Sequence, residues 1–422
     1  MQLSGRSHSR NIMDLEYKNR SPSIIFLLFI MFVKASVGVT DTDAEMMNSP
    51  PRIGVDDTPI LAVQLFDLNF RQQQDFDQLF QTLKSHGFNT VFMRVFQNIE
   101  QKAKQSAARS VTGTYFRSPR SPLMRDMLKL ACQAAQKNNI NLYAWMTTRH
   151  CDWIREKHRD WCDKRYNLKT HQEEVYDRLD ICNPHFRTFI TQLFEDLAHY
   201  PIQGILFQDD IVLRHTEGFS EFAKQRYFHD TGRAVSAAEM YRKTRSIKSK
   251  VLVTKYGDTF FRWRQWRIAE IMNFLNLITE QCRKVNPNLK FALNCYYETL
   301  TAPENARTWF AQDISYAKNS SMHLFSFMAY HRQIAQETNI SIAASLKLLG
   351  KMTRNACRVL ETPSRVLMKI QVRDWQTHHD VDWAEIKEAI RFIRNEGAVG
   401  IALVPYRKNL PLKEIQGTTL ED

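Results

Sequence analysis

The stretch Gly204-Ile205-Leu206-Phe207-Gln208-Asp209-Asp210 is a short apolar run that ends in two adjacent carboxylates, with Glu217 following in the same loop. Acids delivered to the end of a buried strand sit at the edge of a core, where an idle charge costs free energy and a working one binds or reacts. One reaction suits such a group. Glycoside hydrolysis needs a carboxylic acid to protonate the leaving oxygen and usually a second carboxylate to supply or activate the nucleophile. Adjacent like charges favour that division, because repulsion helps one of a pair hold its proton. Neighbouring strand residues point to opposite faces, so only one aspartate is expected to look straight into a cleft. Glu217 is the first choice as general acid, with Asp209 and Asp210 as substrate-binding or electrostatic groups. The plainer reading, an aspartate capping the next helix, suits a single Asp better than a pair.

Acids at one strand end matter most when other strand ends converge on them. Along the chain one unit returns: an amphipathic helical stretch, a Gly, Asn or Pro stop, then four to seven apolar or β-branched residues. Eight such strands are expected, at residues 60–66, 90–96, 141–147, 204–207, 290–294, 324–328, 366–371 and 400–404. Stops such as Ser85-His86-Gly87-Phe88-Asn89 and Asn286-Pro287-Asn288 suit helix ends. Helices between apolar strands imply a parallel sheet, and eight repeats imply an α/β fold of the (β/α)8 TIM-like barrel type. Long loops follow the third strand (residues 148–183) and the fourth (208 to about 288), which suits the walls of a substrate groove. An open doubly wound sheet is the alternative, but no Gly-rich phosphate fingerprint follows the first strand.

In such a barrel the carboxyl ends of all strands share one mouth. It would collect Asp67, Asn69, Arg94, Asn294 and a set of candidate substrate-binding residues: Tyr143, Trp145, Glu298, Glu304, Tyr330, Trp375 and Tyr406. Carboxylates among aromatic faces suit sugars, whose C–H surfaces stack on rings while their hydroxyls need strong partners. Trp263 and Trp266 lie in a helical stretch and read as packing.

Composition agrees with one large globular domain: 422 residues, 43% hydrophobic and 24% charged. Basic residues precede the apolar run 24–33, and small residues follow it, the layout of a secretory signal or an uncleaved signal anchor over residues 1–38. A linker over 39–56, a barrel domain over 57–409 and a tail over 410–422 complete the expected organisation, and the protein is expected to be exported to the periplasm or outer envelope of a bacterium. Removing residues 1–38 lowers the net charge from +13 to near +10. The Lys and Arg are scattered and no nucleic-acid motif occurs, so nucleic acid is not an expected partner. Membrane contact is expected only through an uncleaved anchor. Seven cysteines lie beyond the signal. Cys151, Cys162 and Cys182 could form a loop disulfide. A zinc reading of His150, Cys151, His158 and Cys162 fits no common ligand spacing, so no metal or other cofactor is expected.

The segment GILFQDDIVLRHTEGFS from Gly204, with NLYAWM (141–146), TWFAQ (308–312), SFMAY (326–330) and KIQVRDW (369–375) in the same order, resembles the carboxy-terminal glycoside hydrolase domain of the periplasmic poly-β-1,6-N-acetyl-D-glucosamine deacetylases. The likeness spans about Asp57 to Arg407. It implies a (β/α)8 hydrolase that cuts partially de-N-acetylated poly-β-1,6-N-acetyl-D-glucosamine, a biofilm polysaccharide. In that family paired aspartates line the cleft and a later acid is important for cleavage, which fall on Asp209, Asp210 and Glu217. Free glucosamine units are cationic, and carboxylates would select them by charge-assisted hydrogen bonds. Three features depart from the family. There is no room for the amino-terminal deacetylase domain, so no deacetylase activity is expected. No lipobox Cys occurs. The residue before the aspartates, commonly His, is Gln208, so no acid–base role attaches to it. Competing readings are a non-catalytic barrel that holds polysaccharide, with envelope export machinery as a candidate partner, and a hydrolase of another amino-sugar polymer.

Overall fold

The computed structural model describes residues 59–415, apart from 67, 69, 71, 100–110 and 248–249. The expected signal and linker, Asp67, Asn69 and the end of the tail lie outside the described residues. Eight strands close into a barrel: β1 (Leu61–Leu65), β2 (Thr90–Arg94), β3 (Asn141–Met146), β4 (Gly204–Phe207), β5 (Lys290–Cys295), β6 (Leu324–Met328), β7 (Val366–Gln371) and β8 (Gly400–Val404). Every pairing is parallel, and β1 meets β8 with Leu61 beside Ile401. The (β/α)8 expectation is met, and each expected strand lies within two residues of its observed bounds. The second strand is the shorter one, because Phe96–Gln97 leave the barrel to pair with Gly113–Thr114.

The strands read as continuous apolar runs because the barrel interior covers one face and a ring of helices the other. Those helices carry their own signals. Pro184–Ala198 opens with Asn183, whose side chain accepts from His185 N and Phe186 N, and Pro184 occupies the first turn, where its missing N–H costs nothing. Trp383–Arg394 is capped by Asp382 and buries Ile386, Ala389, Ile390 and Ile393, one stripe at helical spacing. Burying each of the isoleucine side chains contributes roughly 1.5–3 kcal/mol. Met127–Asn138 stops at Asn139, which takes a left-handed conformation (φ 48°).

The two long loops are structured. After β3 come a short helix (Asp152–Arg155) and an antiparallel hairpin of Cys162–Asn167 with Gln172–Leu179. After β4 come the helix Glu221–Thr231, a ribbon of Tyr241–Ile247 with Lys250–Tyr256, and the helix Asp258–Val285, which buries Ile271, Leu275 and Ile278 against the barrel.

All seven cysteines are free thiols. The suggested disulfide among Cys151, Cys162 and Cys182 is therefore corrected: each is buried separately, and the Cys151 thiol lies against Thr148 O. Among the described residues no cluster of metal-ligating side chains converges, and no helix is long and apolar enough to cross a membrane. Leu412 and Ile415 are buried against the core, so packing continues past residue 409, where the sequence suggested the domain would end.

Candidate active site

The two aspartates after β4 are both buried and face different partners. The Asp210 carboxylate accepts from Thr147 Oγ1 (2.7 Å), Thr148 N (3.0 and 3.1 Å), Thr148 Oγ1 (2.9 Å) and His150 N (2.7 Å). It ties the end of β3 to the end of β4 and has little lone-pair capacity left. Its neighbour Asp209 shares the turn that follows β4 and is not among these contacts. In register, Leu293 lies beside Phe207, which sets Asn294 level with Gln208 and just below Asp209.

Asn294 accepts at 2.8 Å from the ammonium of Lys369, a fully buried residue of β7. Lys369 thus reaches across the barrel past β6, where Ser326 is small enough to let it by and keeps a buried hydroxyl with no protein partner. Burial pushes the Lys369 ammonium down to about 8, while the charge of Asp209 pulls it back up. A lysine at this depth needs a counter-charge, and Asp209 supplies it. Sequence reading missed Lys369. The available signal was the run Val366-Leu367-Met368-Lys369-Ile370-Gln371, where a strand apolar on both faces carries one cation with no solvent side to occupy.

Aromatic side chains form a continuous run beside these groups. Tyr330 meets Trp375 (5.5 Å, edge-on), Trp375 meets Phe66 (6.4 Å), Phe66 meets Trp145 (4.6 Å) and Trp145 meets Phe96 (5.8 Å). Residues from five strand ends are so brought together, including three of the expected sugar-binding aromatics. The indole N–H groups of Trp145 and Trp375 are buried without a protein acceptor, leaving them as donors for a ligand hydroxyl. Tyr406, half-buried after β8, bonds through its backbone to Gln64 O of β1. Glu298 is buried at the start of the short helix Glu298–Thr301 that follows β5.

Two expected binding residues lie elsewhere. Tyr143 sits one layer down inside the barrel, packed on Phe92 (5.0 Å) and level with Gly204, where any Cβ would collide with its ring. It fills the core, and burial drives its hydroxyl pKa up. Glu304 is exposed on the helix Pro303–Phe310 and paired with Arg264 (2.8 Å) and Arg307.

Glu217 is the largest departure from expectation. It is buried, with Arg149 at 2.9 Å and Arg214 at 3.2 Å. Burial alone would raise its carboxyl, but Arg149 and Arg214 outweigh it and hold the pKa down to about 2. Arg149 also binds Asp163 (2.8 Å), Leu179 O and Val212 O, so one guanidinium stitches the loop after β3 to the loop after β4. Gly218 follows at φ +90°, a conformation that suits glycine, and donates its N–H to Asp163. At neutral pH Glu217 holds no proton to give.

A sequence profile described as hypothetical glycosyl hydrolase family 13 matches residues 64–404. No match is found among curated proteins. Among solved structures, the PgaB (BpsB) glycoside hydrolase domain from Bordetella bronchiseptica aligns with TM-score 0.69 and 19% identity over 86% of this chain and 100% of that one. The catalytic domain of a β-amylase from Paenibacillus polymyxa aligns at 0.54 and 12%, over 85% and 95%. A β-galactosidase from Bacillus circulans sp. alkalophilus aligns at 0.58 and 13%, over 84% and 52%. At these identities the structural likeness shows a shared fold.

Proposed function

From the premise that the chain belongs to hypothetical glycosyl hydrolase family 13, and is thus a glycoside hydrolase acting on polysaccharide, we propose that it cuts partially de-N-acetylated poly-β-1,6-N-acetyl-D-glucosamine within the chain. The observation that carries this reading is Asp209 at the end of β4, charge-coupled to Lys369, beside the run from Tyr330 to Phe96. Rings of that run offer stacking faces to pyranose units. An ionised carboxylate among them suits both the free ammonium of a glucosamine unit and the positive charge that develops at the anomeric carbon.

Asp209 takes the ionised role in this reading, because Lys369 favours its charged form. Glu298, buried beside the next strand end, is assigned the proton-donating role that Glu217 cannot fill with a pKa near 2. Glu217 and Asp210 position the loops. Export to the bacterial envelope belongs to the same proposal.

The test is mass spectrometry of products. Short oligosaccharides are expected from partially de-N-acetylated polymer and not from the fully acetylated one. Equal cutting of both, or of neither, overturns the substrate assignment.

The Lys369–Asp209 pair has a kinetic signature. Opposite charge lowers a carboxyl pKa, so removing the ammonium raises that of Asp209. In Lys369→Met the acid limb of kcat/KM is expected to move toward neutral pH, and any limb near 8 due to Lys369 to vanish. Lys369→Arg should restore the acid limb in part. An unchanged profile in Lys369→Met would remove the lysine from the site.

A further inference from the structure

The loop that leaves β7 carries Trp375 and closes on itself. Arg373 and Asp380 form an antiparallel bridge, Asp374 N donates to His379 O (2.8 Å), and His378 N donates to Asp374 O (2.9 Å). The Asp374 carboxylate accepts from Gln376 N (2.8 Å) and Thr377 N (3.0 Å), so Trp375 lies inside an Asx turn. These bonds fix the shape of the loop but not its angle to the barrel. Gln376, Thr377, His379 and Asp380 are exposed, so packing at the tip adds little. Two ties lead from the loop to the rest of the molecule. Asp380, at the far end, meets Arg407 (3.4 Å) and Asn409 (2.7 Å), and Asp374, beside Trp375, meets Arg332 (3.4 Å).

Arg332 is itself held from three sides. The helix His331–Thr338 begins straight after Tyr330, whose side chain supplies no cap. The cap comes from β7 instead: the fully buried Gln371 accepts through Oε1 from Arg332 N (3.1 Å) and Gln333 N (3.2 Å), and its amide donates to Arg373 O (3.1 Å). In the same helical turn the Arg332 guanidinium forks onto Glu385, Nε to Oε1 and Nη2 to Oε2, both at 2.7 Å. Burial raises the Glu385 carboxyl, but the hydrogen bonds of Arg332 and His331 outweigh it and hold it down to about 2. Both halves of the fork are therefore charged at neutral pH. Glu385 stands in the first turn of Trp383–Arg394, which packs on β7. Arg332 is thus anchored to a rigid element, and Asp374 to Arg332.

Tyr330 and Trp375 are the two rings joined by these bonds, and they meet edge-on at 5.5 Å at one end of the aromatic run. We propose that Arg332 is a positioning residue for substrate: it holds Trp375 at a fixed angle to Tyr330, so that the two rings present one preshaped face to a pyranose unit. This inference rests on the reading of the run as a sugar-binding surface and adds the residue that orders its end. Arginine suits the task, because its planar fork grips one carboxylate with two nitrogens and leaves a third for another, whereas lysine is a point charge. A ring ordered in advance loses less freedom when the sugar binds. Its contact is made alike before and during reaction, so its loss falls on KM rather than on kcat.

The test is a double-mutant cycle on cleavage of the partially de-N-acetylated polymer. Arg332→Met is expected to raise KM about three- to tenfold with little change in kcat, and Arg332→Lys to recover part of the loss. Glu385 keeps His331 (2.6 Å) as a partner in both variants, so the fold is expected to survive. In a Trp375→Ala background Arg332→Met should raise KM no further. An equal rise in both backgrounds would overturn the proposal. A second readout needs no substrate: quenching of tryptophan fluorescence by acrylamide. The chain has eight tryptophans, so Trp375 is read as the difference between each protein and its Trp375→Ala counterpart. That difference should become more quenchable in Arg332→Met and in Asp374→Asn, which keeps an acceptor oxygen for the turn and loses the charge. Arg391→Met removes an exposed ion pair with Glu388 (2.7 Å) on the same helix as Glu385 and should move neither readout. Unchanged quenching in Arg332→Met would overturn the positioning role even if KM rose. A wild type that leaves the polymer uncut would count against the substrate reading alone, and quenching would still decide for or against Arg332.

Discussion

Asp209→Asn is expected to lower kcat on the polymer by about a hundred- to ten-thousand-fold, the range seen when a carboxylate that acts in the transition state is neutralised, while the protein melts near the wild-type temperature. The second half of that expectation comes from Lys369. Removing a counter-charge normally strands the buried ion that it served, at a cost of several kcal/mol. Lys369 has an escape, because burial has already brought its pKa to about 8. Without Asp209 it can shed its proton at little cost near neutral pH and keep its hydrogen bond to Asn294 as a neutral amine. Activity and stability should therefore separate in this variant, with kinetics and a thermal melt as the two measurements. A variant that turns over within tenfold of wild type would remove Asp209 from the chemistry.

The parts of this molecule legible in the sequence are those governed by local pattern. Eight strands could be read because each is an apolar run bounded by a helix stop, and a closed parallel barrel buries both faces of every strand. Trp145, Tyr330 and Trp375 could be read because a barrel brings strand ends together whatever their separation in sequence. Depth was not legible. Tyr143 and Trp145 share a face of β3, and only the register with β4, Tyr143 beside Gly204 and Trp145 beside Leu206, shows that one is core and the other nearer the mouth. Long-range ion pairs were not legible either. Arg149 and Glu217 lie 68 residues apart in two different loops, and no spacing rule joins them. An acid in a loop beside a strand-end pair looks functional until the arginine that neutralises it is seen.

That arginine leads to the second large effect, one of stability. Glu217→Gln is expected to cost about 3–5 kcal/mol, the usual penalty for breaking a buried ion pair, because Arg149 cannot deprotonate and is left desolvated. Its remaining acid, Asp163, is a poor substitute: burial together with the nearby charges of Asp180 and Glu217 pushes that carboxyl up, against the pull of Arg149. The cluster thus divides its charge, with Glu217 ionised and Asp163 inclined to hold a proton. The pH dependence separates the two. Glu217 has a folded pKa of about 2, below its ordinary value of 4.5, so the stability it contributes is present above 4.5 and is lost as pH falls toward 2. Asp163 is shifted the other way, and its contribution fades as pH rises. The difference in denaturation midpoint between wild type and Glu217→Gln should be full at pH 7 and shrink steadily below pH 4.5; loss of the Glu217 charge also lets Asp163 ionise more readily beside Arg149, which offsets part of the cost. Arg149→Met should also be destabilising, since it leaves buried Asp163 without its cation and Glu217 with Arg214 alone. A Glu217→Gln protein as stable as wild type yet unable to cleave polymer would reverse the assignment and return Glu217 to the role of general acid. A destabilised protein whose folded fraction still turns over would fix Glu217 as the clasp between the two loops that wall the mouth.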